Sequence, residues 1–464
     1  MCAFLASLIQ GDPDLVERRM SDGHKKKNVP NRTQNARDFT EAMEILAHAA
    51  QGRLGNVSQL AFFVGDGLQR AVTDGIFDAL QPATWRPASL FKMGSALLNQ
   101  SAQLTKMFVS GEAQIAWQEL INKVEVFALV KNLASVLALP EKKFIPLSEL
   151  VEKAYSLSSF DALWAVEGVG HHYADDRWAR QGPPQGLLSE ANISVPTKSL
   201  LMLHAGMGLC FGDRLIGALT TESTPDEVRE ALEQFVALCR ENSLPGYMGA
   251  AVESLGIVTR DFYPDLSEII SEQFRTTAPE LAGYYWHGIG RAIYFSRKFF
   301  LPHLFSMWND VDVEARTEPE RMSVRAGLTW AFTLVNMRHP LIVESAVRTY
   351  ARDSALAQAF SNGVSSCIVM RSDTTPNETF VSNFYEHRPN PQDRELMRAW
   401  QRRISGPARA GVYTYHPALS EHRALEQVFR YQDLDQLAQS LQSRSDSVAP
   451  QPSTATGCGC GEEP

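Results

Sequence analysis

An all-α fold is predicted: a helical-repeat body of paired helices, a helical region before it and a mostly helical extension after it. Three observations in the sequence predict it. Small-residue clusters recur at Gly168, Gly206, Gly246, Gly288 and Gly327, at intervals of 38, 40, 42 and 39 residues. Near-constant spacing of this size marks stacked supersecondary units. Helix-start signals stand between the clusters, and no alternating strand pattern is found in the first half of the chain.

The elements follow in order. Residues 1–38 read as a short helix and a polar arm, with Lys25, Lys26 and Lys27 in a row. Residues 39–156 form a helical N-terminal region. Within it, Phe39 to Ala50 has apolar residues at three- and four-residue spacing, and Ala113 to Leu139 is one long helix or two. Residues 157–355 are the repeat domain. Thr224-Pro225-Asp226-Glu227 and Thr317-Glu318-Pro319-Glu320 each place a hydroxyl cap three residues before a glutamate. Pro264 opens a helix ending near Phe274, and Pro279 opens the next, which carries Gly288 and Gly290 in its interior.

Residues 356–442 form the extension. The helical pattern pauses over Ser361 to Asn377, with a short strand at Cys367–Met370. It resumes from Pro391, capped by Asn390, to about Ile404, then near Ser420–Arg430 and Leu434–Leu441. Residues 443–464 have the composition of a disordered tail.

Glycine inside a helix costs about 1 kcal/mol relative to alanine, so its recurrence needs a physical reason. Without Cβ, two helix backbones can approach closely, and the clusters would line a tight seam. The competing reading makes each Gly-x-Gly a ligand-binding turn.

Composition narrows the class. The 464 residues carry a net charge of −9, and 44% are apolar. The acidic balance argues against nonspecific nucleic-acid binding. No run is long enough for a membrane span, and the N-terminus is a poor export signal, so a cytoplasmic protein is expected. Six cysteines are too few for a disulfide scaffold. Cys458 and Cys460 in the Gly-Cys-Gly-Cys-Gly tail are thiols suited to a soft metal or to oxidation, or belong to an exposed tail.

Chemistry-bearing residues gather near the glycines. Glu167, His171, His172, Asp175 and Asp176 fall within ten residues, with Glu167/His171, His171/Asp175 and His172/Asp176 one helical turn apart. That spacing suits a divalent metal on His171, His172, Asp175 and Asp176, or an acid–base pair; the plainer reading is a helix end with paired charges. His204 and His287 lie close to Gly-x-Gly clusters. If the seam aligns, they converge with His171, His172, Glu167, Glu253 and Arg291 on a ligand pocket suited to zinc, iron or manganese; otherwise they are hydrogen-bonded core residues. Arg291, among Tyr284, Tyr285, Trp286, Tyr294 and Phe295, either holds an anion or forms a buried Arg–Glu pair. Gly65-Asp66-Gly67 lacks a complete phosphate-binding fingerprint, and no Gly-x-Ser-x-Gly elbow occurs.

From about Ala165 to Arg348 the chain resembles an uncharacterised bacterial family associated with enediyne biosynthesis gene clusters. The resemblance lies in Glu167-Gly168-Val169-Gly170, His204-Ala205-Gly206-Met207-Gly208, Gly246-Tyr247-Met248-Gly249, Gly288-Ile289-Gly290-Arg291-Ala292-Ile293-Tyr294-Phe295 and the Ala-Gly-Leu segment at Ala326. It implies a context of specialised metabolism and no catalytic residue. The expectation is an accessory or scaffold protein that binds a protein partner or large ligand. A metal-dependent enzyme is the alternative, and a carrier of an apolar metabolite the third reading.

Overall fold

A computed structural model describes residues 111–131, 133–139, 144–189, 194–296, 307–351 and 354–448. The N-terminal arm, Gly65-Asp66-Gly67, Cys458 and Cys460 lie outside the described residues. Among those residues there is no strand, so the all-α prediction holds. No helix among them is long and apolar enough to cross a membrane.

The helices run in order: α1 (Gly111–Lys131), α2 (Leu147–Tyr155), α3 (Ser159–Gln181), α4 (Leu200–Ile216), α5 (Pro225–Asn242), α6 (Met248–Phe262), α7 (Ser267–Thr277), α8 (Ala282–Phe295), α9 (Met307–Glu314), α10 (Glu318–Asn336), α11 (Pro340–Tyr350) and α12 (Ser354–Thr374). After α13 (Thr379–Glu386) come α14 (Arg394–Trp400), α15 (Gly406–Ala410), α16 (His416–Glu421) and α17 (Leu434–Val448). A four-residue helical turn, Leu133–Val136, follows α1.

The expected caps form. Thr224 Oγ1 accepts from the Glu227 amide at 3.3 Å while Glu227 Oε2 accepts from the Thr224 amide at 2.7 Å. Thr317 and Glu320 repeat the exchange at 3.5 and 2.9 Å. Each box satisfies two N–H groups that the helix itself leaves without partners.

Helices α3, α4, α6, α8, α10 and α12 pack each against the next, and their interface is where the glycines sit. A Cβ built on Gly206 would fall inside 3.0 Å of the Glu167 carbonyl; on Gly288, of the Glu253 carbonyl; on Gly327, of the His287 carbonyl. Gly170, Gly208, Gly290 and Gly363 meet the carbonyls of Leu203, Ala251, Val324 and Ala326 in the same way. These are backbone-to-backbone contacts, which no side-chain rotation can relieve. Two members of the evenly spaced set differ. Gly168 meets only the Leu133 side chain, and Gly246 lies in a turn with φ +87°, against the Arg423 carbonyl. There the left-handed backbone itself calls for glycine.

The row also returns on itself. Arg371 of α12 donates to the carbonyls of Ser159 and Phe160 at the start of α3, at 3.1 and 3.3 Å, and the Tyr155 hydroxyl donates to the Thr374 carbonyl at 3.2 Å.

Several expectations for the extension are corrected. The pause after residue 355 and the strand at Cys367–Met370 are absent: α12 is continuous, and all four of those residues are buried. Its serines do not break it because their hydroxyls bond carbonyls one turn back, Ser361 to Ala357 and Ser365 to Ser361, both at 3.0 Å. The helix expected from Pro391 begins at Arg394 instead, capped by Asp393, whose Oδ1 accepts the Leu396 amide at 3.0 Å. It also continues past Ile404. A π turn at Gln401–Ser405 precedes Pro407, and another at Gly411–Tyr415 precedes Pro417. A proline lacks the N–H and crowds the preceding turn, and the wider π turn accommodates both. Ser420–Arg430 is no regular helix, because α16 ends at Glu421 and only a 3-10 turn, Leu425–Phe429, follows. The final helix extends to Val448, beyond the expected tail boundary at Ser443.

Candidate functional site

The seam glycines pack against the backbone of the residues that carry charge, so close approach and side-chain convergence have one cause. With α3 and α4, α6 and α8, and α8 and α10 in contact at the Glu167, Glu253 and His287 carbonyls, Glu167 and Glu253 reach toward α8. There Arg291 donates from Nη1 to Glu253 Oε2 at 2.8 Å and from Nη2 to Glu167 Oε1 at 3.0 Å. His287, one turn before Arg291, joins its Nδ1 to the other Glu253 oxygen at 2.9 Å. Exposure of the four residues is 1% for Glu167, 0% for Glu253, 0% for His287 and 3% for Arg291. The guanidinium lies 4.5 Å from the Trp330 ring centre and 5.9 Å from that of Phe429.

Electrostatics fix the protonation pattern. Burial pushes the Glu167 carboxyl up, outweighing the opposing pull of Arg291. Burial pushes His287 down against the pull of Glu253. His287 is therefore a neutral imidazole whose Nδ1–H donates to Glu253. Its Nε2 is buried and has no hydrogen-bond partner among the described residues. One cation thus serves two carboxylates on α3 and α6, and the quartet ties three helices together.

Glu167, Glu253, His287 and Arg291 lie together, and Arg291 forms the buried Arg–Glu contact. The other candidates do not join them. His204 bonds the Leu200 carbonyl through Nδ1 at 2.6 Å and accepts the Leu244 amide at Nε2 at 3.1 Å, so it clamps α4 to the chain entering α6. Asp175 pairs with Arg214 and Asp176 with Arg180, the latter at 2.9 Å. His171 is buried, and neither ring nitrogen has a hydrogen-bond partner among the described residues; burial of the His172 ring outweighs Asp176 and lowers it as well. Among the described residues no group of three or more His, Cys, Asp or Glu side chains is placed to hold a metal ion.

A second polar layer escaped the sequence reading. Tyr294 donates to Glu119 of α1 at 3.1 Å and accepts from Asn336 of α10 at 2.8 Å, and Asn122 donates to Asn336 at 3.0 Å. Lys123 pairs with Glu119 at 3.5 Å and lies 4.1 Å from the Tyr294 ring centre. The available signal was the presence of Glu119, Asn122 and Lys123 in the Ala/Leu/Val-rich stretch after Ala113.

The buried imidazoles make a pH prediction. Burial lowers both His171 and His204 to about 4, against an unfolded value of about 6.5. Between those values the unfolded chain binds more protons than the folded one, so stability is complete above about pH 6.5 and falls as pH drops toward about 4. The difference is about 3 kcal/mol per residue. Urea midpoints measured from pH 7 to pH 4.5 should fall steadily, and His171→Phe should flatten part of the slope. A constant midpoint in the parent protein contradicts this.

Comparison with family models, curated proteins and solved structures returned no match for this chain.

Proposed function

We propose that this chain is a non-catalytic accessory or scaffold protein that binds a protein partner or large ligand on its helical surface. We place it in the cytoplasm and in a specialised-metabolite pathway, the context implied by its resemblance to the enediyne-associated family. The observation that carries the reading is the fate of the candidate chemistry. Arg291 is bound by Glu167 and Glu253, His287 is bound to Glu253, and all four are buried where they join helices. The binding function then falls to the surface, where Tyr413 is 65% exposed and Leu341 58%.

The test is crosslinking of the tagged full-length chain in its native host, followed by size-exclusion chromatography with light scattering. A complex of fixed stoichiometry with one protein is expected. A strictly monomeric chain without partner overturns the reading. The enzyme alternative has one observation in its favour, the unbonded Nε2 of His287. Elemental analysis of untagged protein decides it: near-stoichiometric metal supports the enzyme, and a metal-free protein that still forms the complex supports the scaffold.

A further inference from the structure

Arg394, Arg398 and Arg402 recur every four residues along α14 and the π turn that continues it, and Arg403 follows directly. The first three are exposed and Arg403 is half-buried. None of the four has a carboxylate within ion-pair distance among the described residues, although the chain as a whole is acidic at −9. Arg402 and Arg403 line a groove of about 180 Å³ against α11, together with Arg348. Of the acids on its wall, Asp393 is taken by Arg348 at 3.1 Å, and Glu395, the other, is likewise not free. Burial and the adjacent Arg402 charge lower the Arg403 guanidinium, as expected for two cations held together without a counter-charge. Met397, 39% exposed, stands between Arg394 and Arg398 in the sequence of the same helix and adds an apolar contact. π turns are uncommon and concentrate at functional sites.

We propose that this arginine stripe is the docking face for an acidic protein segment, with carboxylates spaced by about one helical turn and one of them seated in the groove beside Arg402 and Arg403. The inference rests on the protein-binding reading above and adds the face and the chemistry of the partner. Charge complementarity selects the occupant. The stripe is only about 14 Å long at 1.5 Å per residue, which matches a short acidic helix. An extended polyanion, such as RNA or an anionic membrane, would reach well past a stripe of this length, and a chain of net charge −9 offers it no broad positive surface to follow. Arginine is also among the residues that dominate interface energetics.

Fluorescence anisotropy of labelled deca-glutamate with the full chain tests the face. Binding is expected at low ionic strength, weakening as salt rises to about 0.15 M. The exposed-site variant R394E/R398E/R402E should bind at least about tenfold more weakly, with its thermal midpoint unchanged. R402E/R403E should do the same if the groove takes a carboxylate. Equal binding by these variants, or preference of the parent protein for phosphatidylglycerol vesicles or polyuridylate, overturns the proposal. The two readings fail separately. A crosslinked complex that survives R394E/R398E/R402E overturns the face and leaves the scaffold reading intact. Absence of any complex in the parent protein removes the scaffold reading itself.

Discussion

Arg291→Met is expected to destabilise the protein by about 3–5 kcal/mol, read as a loss in urea midpoint at constant m-value. The size follows from what remains. Glu167 and Glu253 sit on different helices at 1% and 0% exposure, and both lose the arginine that pairs with them. A buried carboxylate without a counter-charge must take up a proton or leave the core, and either disrupts the packing around Trp330 and Phe429. Removing the carboxylates together with the cation relieves that conflict. The triple variant E167Q/E253Q/R291M should recover a large part of the loss, because a neutral core of similar volume carries no uncompensated charge. If Arg291→Met proves as mild as a surface substitution, the quartet does not hold the helices together.

Gly206→Ala, Gly288→Ala and Gly327→Ala are each expected to cost about 2–4 kcal/mol in spite of the higher helix propensity of alanine. In each case the new Cβ meets a carbonyl of the neighbouring helix well inside contact distance. Gly283→Ala provides the opposite sign within the same fold. There the nearest atom to the new Cβ would be Arg430 Cβ at 3.4 Å, an ordinary contact, so the propensity gain of about 0.5–1 kcal/mol should appear as a raised thermal midpoint. Gly206→Ala pushes α3 from α4 and so shifts Glu167 relative to Arg291. Its effect should therefore be non-additive with Arg291→Met. A stabilisation shared equally by Gly206→Ala and Gly283→Ala would show that only helix propensity acts at these glycines.

The contrast between what could and could not be read from the chain has physical causes. Caps were legible at Thr224 and Thr317 because every participant lies within three residues of the others. The close helix contacts were legible because glycine at helix-interior positions is unfavourable unless something else requires it. The same argument misassigned Gly246, whose spacing fits the series but whose backbone turns left-handed. His204 could not be distinguished from a pocket residue, since its role depends on the Leu244 amide, 40 positions away. Helix α12 was obscured by its own Ser/Thr/Asn content, because composition does not reveal that the hydroxyls bond to carbonyls one turn back. The proline-adapted π turns around Pro407 and Pro417 were hidden for a related reason, since proline ordinarily signals a stop.

Native-state hydrogen exchange at the amides of Gly206, Gly288 and Gly327 probes the helix contacts most directly. If these backbones meet as described, the amides open only when the whole protein unfolds, and their opening free energies equal the value from urea denaturation. Exchange through local openings about 3 kcal/mol or more below that value would mean that the helices separate independently there, and the account of a core drawn together by glycine would be contradicted.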